Sequence, residues 1–168
     1  MLKQGDIFLL EGVNWLGKAT NWFQALYSRD GKASHNHAGI IVKQDGKTFE
    51  TTEYETKCLN LFADHGGSII QLWRWRGMNP SRFLDGLREV RSYEGKMYPY
   101  HRYFLFAIGI AKWIHFNGVV CSELAARFLK GAGERSDFWG VSPDMLHDRF
   151  KHSQEWEIIY EGKVREMR

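Results

Sequence analysis

A chain of 168 residues and 19.7 kDa is long enough to bury one substantial core and short enough to be a single domain over residues 1–168. Its 43% hydrophobic and 26% charged residues exclude a disordered or fibrous protein, and a net charge of +3 is too small to argue for a nucleic-acid partner. Its two cysteines, Cys58 and Cys121, with no Cys-x-x-Cys anywhere, exclude a disulfide framework and a cysteine-built zinc site.

A reducing compartment is the default for such cysteine usage. "MLKQGDIFLL" carries no signal-peptide pattern, so a cytoplasmic location is expected. The longest apolar run, "YFLFAIGIA" at 103–111, falls short of the ~20 residues a membrane span needs.

In chain order, "GDIFLLEG" is a short apolar strand opened by a Gly5-Asp6 turn. Residues 14–28 carry Trp15, Ala19, Trp22, Phe23 and Leu26 on one helical face. "HAGIIVK" and "TFETTEY" are strands joined through Gln44-Asp45-Gly46-Lys47, an Asp-Gly hairpin signal. "SIIQLWRWR" alternates Trp with Arg as a half-exposed strand; five residues make no basic patch for nucleic acid. "NPSRFLDGLREVRSYEG" predicts a helix capped at Ser81 and stopped at Gly95. "SDFWGVSPDMLHDRF" reads as a loop, and "WEIIYEG" as a closing strand. Mixed strands with segregated helices define an α+β class.

"VVCSELAARFL" at 119–129 places Cys121 on the first turn of an amphipathic helix. Leu124, Ala125, Phe128 and Leu129 line its apolar face, and Glu123, Arg127 and Lys130 the other. A cysteine there is either a small core residue or a nucleophile whose thiolate is favoured by the positive helix end. The second reading needs a base, an orienting partner and an oxyanion donor. His37, at the start of "HAGIIVK", stands beside Gly39, where another backbone can approach closely.

Five segments then fall in a telling order: Gly5-Asp6, His37-Ala38-Gly39, Phe49-Glu50, Gly95-Lys96-Met97-Tyr98 and Cys121-Ser122-Glu123. This pattern resembles the papain-like NlpC-type superfamily with its cysteine block moved to the end, as in the circularly permuted, YiiX-like branch of amidases. "GVSPDML" is similar to a segment that branch places after its cysteine helix, so the resemblance spans roughly residues 4–147. It implies a permuted papain-like fold, a small antiparallel sheet or half-barrel packed against helices. It also implies Cys121 as nucleophile, His37 as base, Glu50 as the residue orienting the imidazole, and Tyr98 beside the oxyanion. Pro99-Tyr100 replaces the usual Asp, which leaves Tyr98 and Tyr100 open.

With a two-residue Asp45-Gly46 turn, Glu50 would lie two rungs from His37, ~13 Å along a flat strand, and Thr52 would be the nearer alternative. A site of Cys121, His37 and a second histidine shows no metal-ligand spacing, and no cofactor is expected. The implied activity is amide hydrolysis of a peptide-like or N-acyl substrate through a thioester. An acyltransferase or thioesterase using the apolar stretch Tyr103–Ile114, and a non-catalytic binding or virion module, are the alternatives. The aromatic surplus, Trp73 and Trp75 included, is expected to line the cleft and favour an apolar portion of substrate.

Overall fold

The structure is a computed structural model that describes residues 2–11, 34–97, 119–135 and 142–167. Six strands form one antiparallel sheet: β1 (Ile7–Glu11), β2 (His37–Ile41), β3 (Lys47–Thr51), β4 (Thr56–Asn60), β5 (Ile69–Trp75) and β6 (Trp156–Lys163). Their order across the sheet is β4-β3-β2-β1-β5-β6. Among the described residues the α-helices are α1 (Leu61–His65), α2 (Pro80–Arg91), α3 (Cys121–Gly131) and α4 (Pro143–His152), followed by a 3-10 turn at Val164–Glu166. None of the helices in this part of the chain is long and apolar enough to cross a membrane. The α+β class is confirmed; the predicted helix within 14–28 lies outside the described residues.

The sheet is buried on both faces, which is why β1 is an unbroken apolar run rather than an alternation. Ile7, Leu9, Ala38, Ile40, Phe49, Trp73 and Trp75 face one core with Phe83, Leu124, Phe128 and Phe150 of the helices. Phe8, Leu10, Ile41, Ile70 and Leu72 face a second, thinner core closed by Leu61, Val164 and Met167. Strand β5 is therefore not half-exposed: Trp73 and Trp75 are buried, Trp73 packing on Phe150 with ring centroids 5.8 Å apart. These two aromatics belong to the core and not to a cleft. The intervening Arg74 is taken up by Asp6, which accepts both Nε and Nη2 at 2.8 Å. The Gly5-Asp6 turn thus tethers β1 to β5.

Several boundaries differ from the predicted ones. Helix α2 is capped by Asn79, whose Oδ1 accepts the Arg82 N–H at 3.0 Å. Pro80 is its first residue, Ser81 lies inside its first turn rather than at the cap, and the helix ends at Arg91. The segment read as a loop contains α4, started by Ser142, which accepts the Met145 N–H, with Pro143 at the first helical position. Strand β4 and helix α1 were not anticipated. On α3 the predicted apolar face is fully buried. Glu123, expected on the solvent side, is also buried, its carboxylate accepting the Val120 N–H at 3.3 Å.

Gly39 is required for packing. A Cβ there would lie 2.4 Å from Cζ of Phe8, the residue paired with it across β1. The close neighbour of Gly39 is thus an aromatic ring rather than a second backbone. Gly39→Ala should destabilise the protein by about 1–3 kcal/mol in urea unfolding. Gly67→Ala, with nothing within 4 Å of the added methyl, should be near neutral. Equal effects of the two substitutions would refute this packing role.

Candidate active site

Glu50 sits at the centre of the site. It is fully buried on β3, and three side chains donate to its carboxylate. Nε2 of His37 reaches Oε2 at 2.5 Å, Nε2 of His65 reaches the same oxygen at 2.9 Å, and Thr48 Oγ1 donates to Oε1 at 2.5 Å. His37 opens β2 and His65 closes α1. Asn60 caps that short helix, accepting the Phe62 and Ala63 N–H groups at 3.1 Å. The Phe8 ring lies 6.1 and 6.0 Å from the two imidazoles, which are 5.6 Å from one another.

The distance problem between His37 and Glu50 is solved by the turn. Ile40 pairs with Phe49 and Ile41 with Thr48, because residues 43–46 form a four-residue loop closed by Val42 N–H to Lys47 C=O at 2.8 Å. That register sets Gly39 across from Glu50, so His37 is one diagonal step away, within side-chain reach. Neither extra twist nor a bulge is needed. Thr52, the reserve candidate, lies past the end of β3, and its hydroxyl donates to the Glu55 carbonyl at 2.9 Å. It serves the turn into β4.

Cys121 is the first residue of α3, is buried, and is a free thiol. The packing of α3 on β2 and β3 brings this side chain near enough to the His37 imidazole to bear on its protonation. With Nε2 held by Glu50, Nδ1 is the ring nitrogen that Glu50 leaves unengaged. Burial by itself would push the imidazole towards its neutral form. Hydrogen bonding and Coulombic interaction with Cys121 and Glu50 outweigh it and raise the His37 pKa to about 10. Burial alone would likewise raise the Glu50 pKa, but His37 and then His65 hold its carboxyl well below the usual range. Cys58, on edge strand β4, is exposed, and the chief influence on its thiol, partial burial, pushes the pKa up.

The structure thus brings together Cys121, His37 and Glu50. Tyr98 and Tyr100 lie outside the described residues, as does the apolar stretch Tyr103–Ile114. His35 is a separate matter. It is buried, with Nδ1 3.2 Å from Asp144 Oδ1, and its ring stacks on His147 at 4.7 Å. Asp144 also accepts the Ser34 and His35 backbone N–H groups, fastening the segment before β2 to α4.

Sequence reasoning missed His65. The one local signal was Asn60 ahead of "LFADHGG", a helix start and a glycine stop enclosing a histidine. Among the described residues, His37, Glu50 and His65 each offer one ligand atom, all within 4.8 Å of one another. Two imidazoles and a carboxylate form a donor set suited to a divalent transition metal, so the absence of metal-ligand spacing along the chain did not mean absence of a metal-compatible group.

No family model and no curated protein matches the sequence. The fold, however, is similar to that of the metalloprotein yiiX from Escherichia coli O157:H7, whose crystal structure superposes with a TM-score of 0.67 at 14% identity. The match covers 96% of this chain and 98% of that one. It is a likeness of fold across the whole chain, in agreement with the YiiX-like part of the expected resemblance.

Proposed function

We propose that the protein is a cysteine-dependent amide hydrolase on a circularly permuted papain-like fold. The observation that carries this reading is the Cys121 thiol at the start of α3, in reach of an imidazole whose far nitrogen is anchored on a buried carboxylate. The order of the blocks, histidine before carboxylate before cysteine, is that of the permuted branch. Chain order is immaterial to such chemistry, which depends on roles and geometry.

In this mechanism the Cys121 proton rests on His37, and the sulfur attacks the carbonyl carbon of an N-acyl or peptide-like amide. The tetrahedral oxyanion is met by Tyr98 on the family pattern, in the field of the positive N-terminal end of α3. The imidazolium gives its proton to the departing amine, and a thioester remains on Cys121. His37, now neutral, takes a proton from water as that water attacks the thioester. The acid is released as the sulfur departs, and the starting pair, with the proton on His37, is restored. Glu50 keeps the ring oriented and favours its protonated state throughout.

The yiiX protein is described as a metalloprotein. The residues of this chain that fit a metal are His37, Glu50 and His65, and a divalent ion held there would supply Lewis acidity.

Iodoacetamide near neutral pH should label buried Cys121 at least about tenfold faster than exposed Cys58, since the thiolate is the nucleophile. Incubation with N-acyl amides should then leave an acyl adduct on Cys121, read by intact mass and peptide mapping. Preferential labelling of Cys58, with no adduct on Cys121, would overturn the assignment.

A further inference from the structure

The proposed hydrolase needs one imidazole on Glu50, and the protein provides two. His65 Nε2 lies 2.9 Å from the same oxygen, Oε2, that His37 Nε2 approaches at 2.5 Å. The three groups come from β2, β3 and α1, so the fold has assembled them from separate elements. Each imidazole is less than one-quarter exposed and the carboxylate is fully buried. The other carboxylate oxygen is fixed by Thr48 Oγ1, the outer hydrogen bond that ligating carboxylates commonly have. Phe8 supports both rings from below.

We propose that His37, Glu50 and His65 bind a divalent first-row transition metal, and that occupancy of this site and thiol chemistry at Cys121 exclude one another. The second half rests on the hydrolase reading above; the first does not. Two imidazoles and one carboxylate select zinc, ferrous iron or cobalt over calcium or magnesium, which favour all-oxygen shells. Ligand atoms already within 4.8 Å of one another need only small side-chain movements to reach the separation of about 3.4 Å that tetrahedral ligation at zinc implies. Exclusion follows from electron counting. The single in-plane lone pair of His37 Nε2 holds either the proton donated to Glu50 or the metal. Binding therefore expels that proton and breaks the His37–Glu50 hydrogen bond. Nδ1 could then release its own proton only by forming a metal-bound imidazolate, so His37 would cease to serve as the base for Cys121.

The test is calorimetric titration of the metal-stripped full chain with Zn2+, run in two buffers of different ionisation enthalpy. A Co2+ absorption spectrum of the unaltered chain accompanies it. The expected result is one ion per chain with proton release, and a cobalt visible band without thiolate charge transfer. His65→Gln should weaken binding by about tenfold or more, and Cys121→Ser, which removes a partner that favours protonated His37, should not weaken it. No saturable binding, unchanged affinity in His65→Gln, or loss of binding in Cys121→Ser would overturn the site. The cobalt spectrum reads the donor set even if the His65 variant does not fold. Stoichiometric Zn2+ should suppress acyl-amide turnover by the unaltered chain, and undiminished turnover would overturn the exclusion. A chain with no turnover under any condition would defeat the hydrolase reading, while calorimetry would still decide the metal site.

Discussion

His37→Ala is expected to lower acyl-amide turnover by about 10²- to 10⁴-fold, the usual worth of a positioned acid–base group, in a chain that still folds. Glu50 would retain His65 and Thr48 as donors, and the His37 side chain is itself 20% exposed, so little core packing is lost. His35→Ala should do the reverse. That ring is buried, stacked on His147 and facing Asp144. Its removal opens a cavity and takes a partner from a buried carboxylate, at a cost of about 2–4 kcal/mol. Turnover per folded molecule should survive. Kinetics normalised to the folded fraction, together with urea unfolding of both variants, separate the two roles. A His35→Ala chain that is stable but inactive would show that the base has been misassigned.

The contrast between these two histidines shows where the sequence was legible. His37 and Cys121 could be found because each begins a regular element whose apolar period is clear, "HAGIIVK" for a strand and "CSELAARFL" for a helix. Glu50 is legible only through the family pattern, because the Asp45-Gly46 signal implies a two-residue turn where residues 43–46 form a four-residue loop. One loop length moved the pairing by two residues and turned a 13 Å objection into a 2.5 Å hydrogen bond. Strand β4 and helix α1 escaped notice because "TKCLNLFADH" mixes Lys, Cys, Asn and Asp through an edge strand and a single helical turn, with no sustained period to detect. With them went His65, whose meaning depends on where that turn folds back over β3. Helix α4 was hidden by "VSPD", which reads as a loop until Ser142 is taken as a cap and Pro143 as the first helical residue. In each case the missing information was tertiary: how far a turn carries the chain before the next element returns.

Glu50→Gln is expected to destabilise the protein by about 3 kcal/mol near pH 5.5, with a pH dependence that identifies the cause. In the folded chain the pKa of His37 is raised, burial being outweighed by Cys121 and Glu50, to about 10 from an ordinary 6.5. Its contribution to stability is fully present below pH 6.5 and is lost as pH rises towards 10. The pKa of Glu50 is lowered, burial being outweighed by the two histidines, from an ordinary 4.5. Its contribution is present above pH 4.5 and is lost as pH falls through its depressed folded value. Both are at full strength only between roughly pH 4.5 and 6.5. Glutamine removes the carboxylate charge while preserving the shape and one acceptor, so His37 reverts towards the neutral form that burial favours. The stability gap between the two chains should therefore be widest in that window and narrow steadily towards pH 10. Urea unfolding of both proteins at pH 4, 5.5, 8 and 10 measures it. A gap that stays constant across the series would mean that Glu50 acts through shape and hydrogen bonding alone. The raised pKa of His37 would then have to come from its other neighbours.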